Sequence, residues 1–328
     1  MIFKSVDSTY EFMKRREFLR AAASVALLSE ARLLHAARSG MFISLNGSLV
    51  GSVPGPNGRR VPAVAWPEFA RLASKVGYGG VDVNLKAAMD EGEQATRALL
   101  SGLKIRPGIC GFPAPVFGHD EAAFQEGLKK LPDAARFAAG IGCPRMMVVL
   151  PPSSQTPKEE LRKIYKDRLT AVSQVLLPYK VRLGMEFLGP MYMHTRLPHE
   201  FIWRMDEALD FAKECGPNIG LTLDSWHWFH SGATIDDILH AGKARIVTVH
   251  VSDAKKEAPE DVRDNQRLLP GEGIINLIGF FRALKKIGYV DAVSPEPLGR
   301  IPPGTSPEEG ARMGLESTRA VMQKAGVI

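Results

Sequence analysis

Four side chains able to share one metal ion, Glu186, Asp224, His250 and Glu296, each close a short apolar run that reads as a β-strand. The runs are Arg182-Leu-Gly-Met-Glu186, Ile219-Gly-Leu-Thr-Leu-Asp224, Ile246-Val-Thr-Val-His250 and Ala292-Val-Ser-Pro-Glu296. Their ends lie 38, 26 and 46 residues apart, near the roughly 31-residue strand–helix unit of ~250 residues divided by eight. In a parallel barrel every strand opens at its C-terminal end on one face, so consecutive units can each send a ligand to a common point. A doubly wound open sheet competes for the same alternation. No Gly-x-Gly-x-x-Gly follows an early strand, however, so the dinucleotide form of that sheet lacks its phosphate cradle.

The alternation extends through the chain from residue 41. Strands are expected at 41–46, 80–84, 105–110 and 145–150, ahead of the four that carry the candidate ligands. Helices are expected at 66–76, 92–103, 120–140 (broken near Pro132), 158–177, 200–215, 234–239, 276–287 and 307–325. Eight such units predict an α/β fold, a single (β/α)8 TIM barrel over residues 38–328.

Ahead of it, Lys14-Arg15-Arg16-Glu17-Phe18-Leu19-Arg20 precedes the apolar Ala21-Ala-Ala-Ser-Val-Ala-Leu-Leu28. Residues 1–37 resemble a twin-arginine signal, with Met13 a candidate true start, which implies export of the folded protein to the periplasm; a cytoplasmic amphipathic helix is the alternative. The apolar stretch is too short to span a bilayer, which takes about 20 residues. A formal charge of +6 is mild and no basic run is interleaved with aromatics, so no nucleic-acid partner is expected. Cys110, Cys143 and Cys215 are odd in number and lack metal-type spacing, which argues against a disulfide framework or a thiolate zinc site.

Three carboxylates and one imidazole make a hard, oxygen-rich donor set. It suits one divalent ion, Mn²⁺ foremost, with Mg²⁺, Co²⁺ or Zn²⁺ as alternatives. Four ligands leave two octahedral positions for vicinal hydroxyl and carbonyl oxygens of a sugar or polyol, and the ion would stabilise the enediolate formed by removing the proton next to the carbonyl. Glu186 and Glu296, from different strands, are the candidate acid/base pair. Any one of the four alone could simply cap the following helix; four in succession favour the metal. Candidate substrate contacts are His227 in Asp224-Ser-Trp-His-Trp-Phe-His-Ser-Gly232, the aromatics Trp226 and Phe112, and the cations Lys256 and Arg267 after His250. For each of these, loop packing or a solvated surface is the competing reading. Glu272 is a candidate for orienting its loop.

The motifs Gly184-Met-Glu-Phe-Leu-Gly-Pro190, Leu223-Asp-Ser-Trp-His227, Val249-His-Val-Ser-Asp253, Leu269-Pro-Gly-Glu-Gly273 and Ser294-Pro-Glu-Pro297 resemble the xylose isomerase-like TIM barrel superfamily, and within it the sugar phosphate isomerase/epimerase group. The resemblance covers about residues 41–326. It implies a metal-dependent isomerase or epimerase of a keto-sugar, with Glu186 and Glu296 as metal ligands and two-base pair, Asp224 and His250 completing the metal site, and His227 touching substrate. Ketose 3-epimerases of this kind place an arginine six residues after the ligand histidine, where this chain has Lys256. The superfamily also admits dehydratases of inososes or dehydroshikimate and enzymes that cleave glycosides by elimination, in which the enediolate expels a β substituent. A DNA-repair endonuclease, its third class, would need histidines at the ends of strands two to four, where this chain has Asn84, Cys110 and Leu150. A small-molecule sugar or polyol is therefore the expected partner, and a homo-oligomer is compatible with the resemblance.

Overall fold

The apolar runs pair in parallel, in chain order, until the last strand meets the first. A computed structural model describes residues 40–54 and 60–328; the signal-like segment 1–37 lies outside the described residues. Strands β1 (Phe42–Leu45), β2 (Gly80–Val83), β3 (Arg106–Gly111), β4 (Arg145–Val149), β5 (Arg182–Glu186), β6 (Ile219–Asp224), β7 (Ile246–Val251) and β8 (Ala292–Pro295) close the barrel. All residues of β6 and β7 are buried. A strand with the barrel interior on one side and helices on the other has no wet face, which is why these runs are apolar at both parities.

The main helices between the strands are α1 (Glu68–Val76), α2 (Glu93–Gly102), α3 (Glu121–Gly140), α4 (Lys158–Leu176), α5 (Met205–Cys215), α6 (Ile235–Arg245), α7 (Leu277–Lys286) and α8 (Pro307–Lys324). Helix α4 shows why they form. Leu161, Tyr165, Leu169, Val172 and Leu176 recur every three or four residues and are buried, and Glu159 and Glu160 complement the helix dipole in the first turn. Helix α7 starts where Asn276 accepts a hydrogen bond from the Gly279 N–H at 2.9 Å, and it buries Phe280, Phe281 and Leu284. Truncating the fully buried Phe280 to alanine would cost about 3–5 kcal/mol.

Three boundaries differ from expectation. Helix α3 runs through Pro132 without a break: the single lost backbone bond is outweighed by the buried stripe Leu131, Ala134, Ala135 and Ala138. Helix α5 begins at Met205 because Glu200 is engaged in a two-residue antiparallel pairing of His199–Glu200 with Ser153–Ser154. Helix α6 extends to Arg245, past a kink at Gly242 where φ is 63°. Beyond strand β1 the chain makes a 3-10 turn at Gly47–Leu49 and an antiparallel hairpin, Ser52–Pro54 with Arg60–Pro62, before reaching α1.

Candidate metal centre

Register assembles the site. Asp224 lies beside His250 across β6 and β7, His250 beside Ser294 across β7 and β8, and Glu186 is the last residue of β5. Glu296 follows the end of β8, where its N–H donates to the Val251 carbonyl at 2.9 Å. One donor atom from each of Glu186, Asp224, His250 and Glu296 falls within 4.8 Å of all the others. For metal–donor distances of about 2.1 Å, donors on opposite sides of an ion lie about 4.2 Å apart, so a small inward movement suffices.

His250 Nδ1 is 3.0 Å from Glu186 Oε1 and 3.4 Å from Glu296 Oε2, so both carboxylates converge on one imidazole nitrogen. Its Nε2 is buried without a partner among the described residues. Asp224 divides its work. Oδ1 accepts from the N–H groups of Trp226 (2.7 Å) and His227 (3.1 Å), capping the short helix Ser225–His230, while Oδ2 takes Arg267 at 2.8 Å. The capping role and the site role are therefore filled by different oxygens of one side chain.

Arg267, only 2% exposed, organises the polar side of the centre. Its Nη1 also reaches Glu296 Oε2 at 3.2 Å, its Nε donates to Asp264 Oδ1 at 2.8 Å, and its guanidinium lies over the Trp226 ring at 4.7 Å. The carboxylates of Glu186, Asp224 and Glu296 outweigh one guanidinium, which is itself shared with Asp264, so the cluster keeps an excess of negative charge that a divalent ion would offset. Donor chemistry, spacing and charge thus all fit such an ion.

The electrostatics agree. Burial pushes the Glu186 carboxyl up to about 7 despite the opposing pull of His250. For His250, burial opposes protonation, yet Glu296 and Glu186 together push its imidazole well up. Burial would also raise Asp224, but Arg267, His227 and His250 hold it far below the usual carboxylate range. His227 is pushed down to about 3 by burial in spite of Asp224. Its ring is therefore neutral, so Arg267 Nη2 donates to Nε2 at 3.1 Å and the proton sits on Nδ1, which is buried and unpartnered.

The other expected contacts are distributed differently. Trp226 is buried beneath Arg267 and packs edge-on against His227 and His230. Phe112 lines a cleft of about 600 Å³ that shares Val83, Asn84 and Gly111 with a smaller cavity beside His250 and Glu296. Lys256 is exposed. Glu272 does orient its loop, accepting from the Leu269 N–H at 3.0 Å and pairing with Arg300 at 2.8 Å. The larger loop organiser was missed: buried Asp253 accepts from the N–H groups of Ala254, Gly271, Gly273 and Ile275 at 2.9–3.0 Å. A methyl on Gly273 would stand 2.2 Å from the Ala254 carbonyl oxygen and 2.6 Å from Asp253 Oδ1, so the turn admits only glycine.

A closed parallel barrel with four convergent metal-type ligands at its C-terminal face defines a class of metal-binding TIM barrels. The chain belongs to the xylose isomerase-like TIM barrel family, whose model matches residues 70–321. It is 31% identical over 168 residues to an inosose isomerase of Bacillus velezensis, a match covering 51% of this chain and 58% of that relative. The chain thus spans less than two thirds of that relative's length. A solved xylose isomerase domain protein from Alicyclobacillus acidocaldarius has a TM-score of 0.77 and 28% identity, over 88% of this chain and 100% of that one. The IolI protein, crystallised with a binding zinc atom, has a TM-score of 0.71 and 22% identity, over 87% and 99% of the two chains. That last likeness is one of fold. No helix among the described residues is long and apolar enough to cross a membrane.

Proposed function

We propose that this protein is a divalent-metal-dependent isomerase or epimerase of a keto-sugar or keto-polyol, acting by proton removal next to the carbonyl. The observation that carries the reading is the convergence of Glu186 and Glu296 from β5 and β8 on one imidazole nitrogen, within a four-ligand cluster. Glu186, Asp224, His250 and Glu296 would hold the ion, which supplies Lewis acidity to the carbonyl oxygen and so acidifies the adjacent C–H. One glutamate takes that proton and the other returns one, and their different strands let them address different carbons or faces of the bound substrate. Arg267 holds Asp224 ionised, His250 and then Arg267 favour the ionised Glu296, and the neutral His227 carries an Nδ1–H donor. The inosose isomerase relative supports a carbonyl-bearing polyol as the substrate class. Mn²⁺ is the metal the oxygen-rich donor set favours, and zinc in the IolI protein makes Zn²⁺ the first alternative to compare.

The test is incubation of the metal-loaded protein in D₂O with ketoses, inososes and 3-keto-glycosides, followed by metal removal, NMR and mass spectrometry. Deuterium beside the carbonyl in an isomeric product is the expected result. An unsaturated or cleaved product would move the protein to the lyases, and absence of exchange with the whole panel would refute the proton-transfer reading.

A further inference from the structure

The ligand cluster opens into a cavity of about 250 Å³ whose far wall belongs to the first two strand–helix units. Its lining includes His250 and Glu296 on one side and Asn46, Trp66, Phe69 and Asp82 on the other. That size is just below the usual range of about 300–1,000 Å³ for small-molecule sites and suits a single sugar or cyclitol ring rather than a glycan chain.

Two polar groups on the far wall are not used by the ligand cluster. Asp82 is the one charged residue in β2. Its Oδ1 accepts from Ser44 Oγ at 2.7 Å and Ser294 Oγ at 2.9 Å, whereas Oδ2 has a single long contact, 3.3 Å, from Asn46 Nδ2. A carboxylate has about four lone-pair sites, so Oδ2 keeps acceptor capacity. Gly108 makes the room for this arrangement: a methyl there would lie 2.3 Å from Asp82 Oδ1 and 2.2 Å from Ser44 Oγ. Trp66 is 7% exposed, lines the cavity, and its indole N–H is buried without a partner among the described residues. Buried donors are nearly always paired, and the indole that carries this one lines both this cavity and a smaller one beside Arg71, Glu91 and Thr96. Trp66 and Phe69 also give that wall an aromatic surface on which the C–H face of a ring can rest.

We propose that Trp66 and Asp82 form a hydroxyl-binding subsite facing the metal ligands, in which a ring hydroxyl of the substrate donates to Asp82 Oδ2 and accepts from Trp66 Nε1–H. A hydroxyl is the group that can do both at once, and a carboxylate or phosphate would be repelled by Asp82. The subsite selects neutral, ring-form keto-polyols and fixes which carbon is presented to Glu186 and Glu296. This rests on the proposed function for the identity of the reacting end, but ring binding is measured independently of turnover.

The experiment is calorimetric titration of the full-length, Zn²⁺-loaded protein with a pentahydroxycyclohexanone, the corresponding mono-deoxy compounds, and open-chain xylulose. Trp66→Phe retains the aromatic face and removes only the N–H; Asp82→Asn retains the shape and exchanges the charge for an amide. Each variant is expected to weaken ring binding about 10-fold or more with metal content unchanged, and one mono-deoxy compound should bind wild type and variants alike. Unchanged affinity in both variants, tighter binding of the open-chain ketose, or no ring binding by the wild type would each overturn the subsite. Ring binding that depends on both residues without isotope exchange would leave the subsite standing and refute the proposed reaction instead.

Discussion

Replacing Arg267 by methionine removes the cation that pairs with buried Asp224 and with the part-exposed Glu296 and Asp264, and its cost can be worked from the contacts. Arg267 and Asp224 are 2% and 0% exposed and meet at 2.8 Å, so the variant leaves Asp224 with a capped Oδ1 and an unpaired, desolvated Oδ2. Breaking a buried pair in this way costs about 3–5 kcal/mol. Methionine recovers part of the contact with the Trp226 ring, so the loss is chiefly electrostatic. At roughly 2–4 °C per kcal/mol for a chain near this size, the metal-free variant should melt about 6–20 °C below wild type. A divalent ion at the cluster experiences the opposite change, because a neighbouring positive charge has gone. The rise in melting temperature on adding Zn²⁺ should therefore be larger in Arg267→Met than in wild type. Differential scanning fluorimetry after chelation and again after metal addition measures both quantities. A metal-free variant melting within about 2 °C of wild type, or one gaining less from metal than wild type gains, would falsify the charge argument.

Turnover should fall by about 10²–10⁴-fold in Glu186→Gln and in Glu296→Gln, with circular dichroism unchanged, and near-wild-type rates in either variant would end the two-carboxylate mechanism. Exhaustive chelation should abolish activity, and restoring the ion to about 100 times its Kd should add about 2.7 kcal/mol of stability; an unchanged melting curve would count against a metal in this site. Asp253→Asn turns an NH₂ group toward two of the four backbone donors that the carboxylate now accepts. A loss of about 2–4 kcal/mol and faster proteolysis within residues 268–276 are expected, whereas wild-type protease resistance would show that the loop is held by something else.

The cluster of four candidate ligands was legible because a local pattern marks it: each is a polar residue at or just past the end of an apolar strand, and barrel geometry brings them together. The cation was only partly legible. Lys255, Lys256 and Arg267 follow His250 in one loop, and nothing local ranks them. The ranking comes from Asp253 and Leu268, which exchange two backbone hydrogen bonds of 2.9 Å and fold the loop back over β7, bringing Arg267 to the carboxylates and leaving Lys256 exposed. Trp226 is a candidate substrate contact by its position after a strand end, with loop packing as the competing reading, and the structure lays the Arg267 guanidinium over its ring. Asp82 and Trp66 escaped notice for a related reason. Asp82 did carry a signal, a charged residue inside the apolar Gly80-Val-Asp-Val83, but its partners Ser44 and Ser294 lie 38 and 212 residues away.

The barrel face is thus divided by chemistry as well as by position in the chain. Among the described residues, strands β5 to β8 and the loops that follow them supply the four candidate metal ligands and the arginine beside them. The first two units and the hairpin between β1 and α1 supply an aromatic surface, one carboxylate with spare acceptor capacity and no member of the metal cluster. Two consequences follow if the halves act separately. Changes in the ligand strands should alter whether a proton moves at all, because they alter charge at the reacting carbon. Changes at Pro62, Val64, Trp66 or Phe69 should alter which ring is accepted while leaving the metal and the two glutamates in place. On the proposed subsite, substrate range would depend on residues far in sequence from the motifs that mark the family.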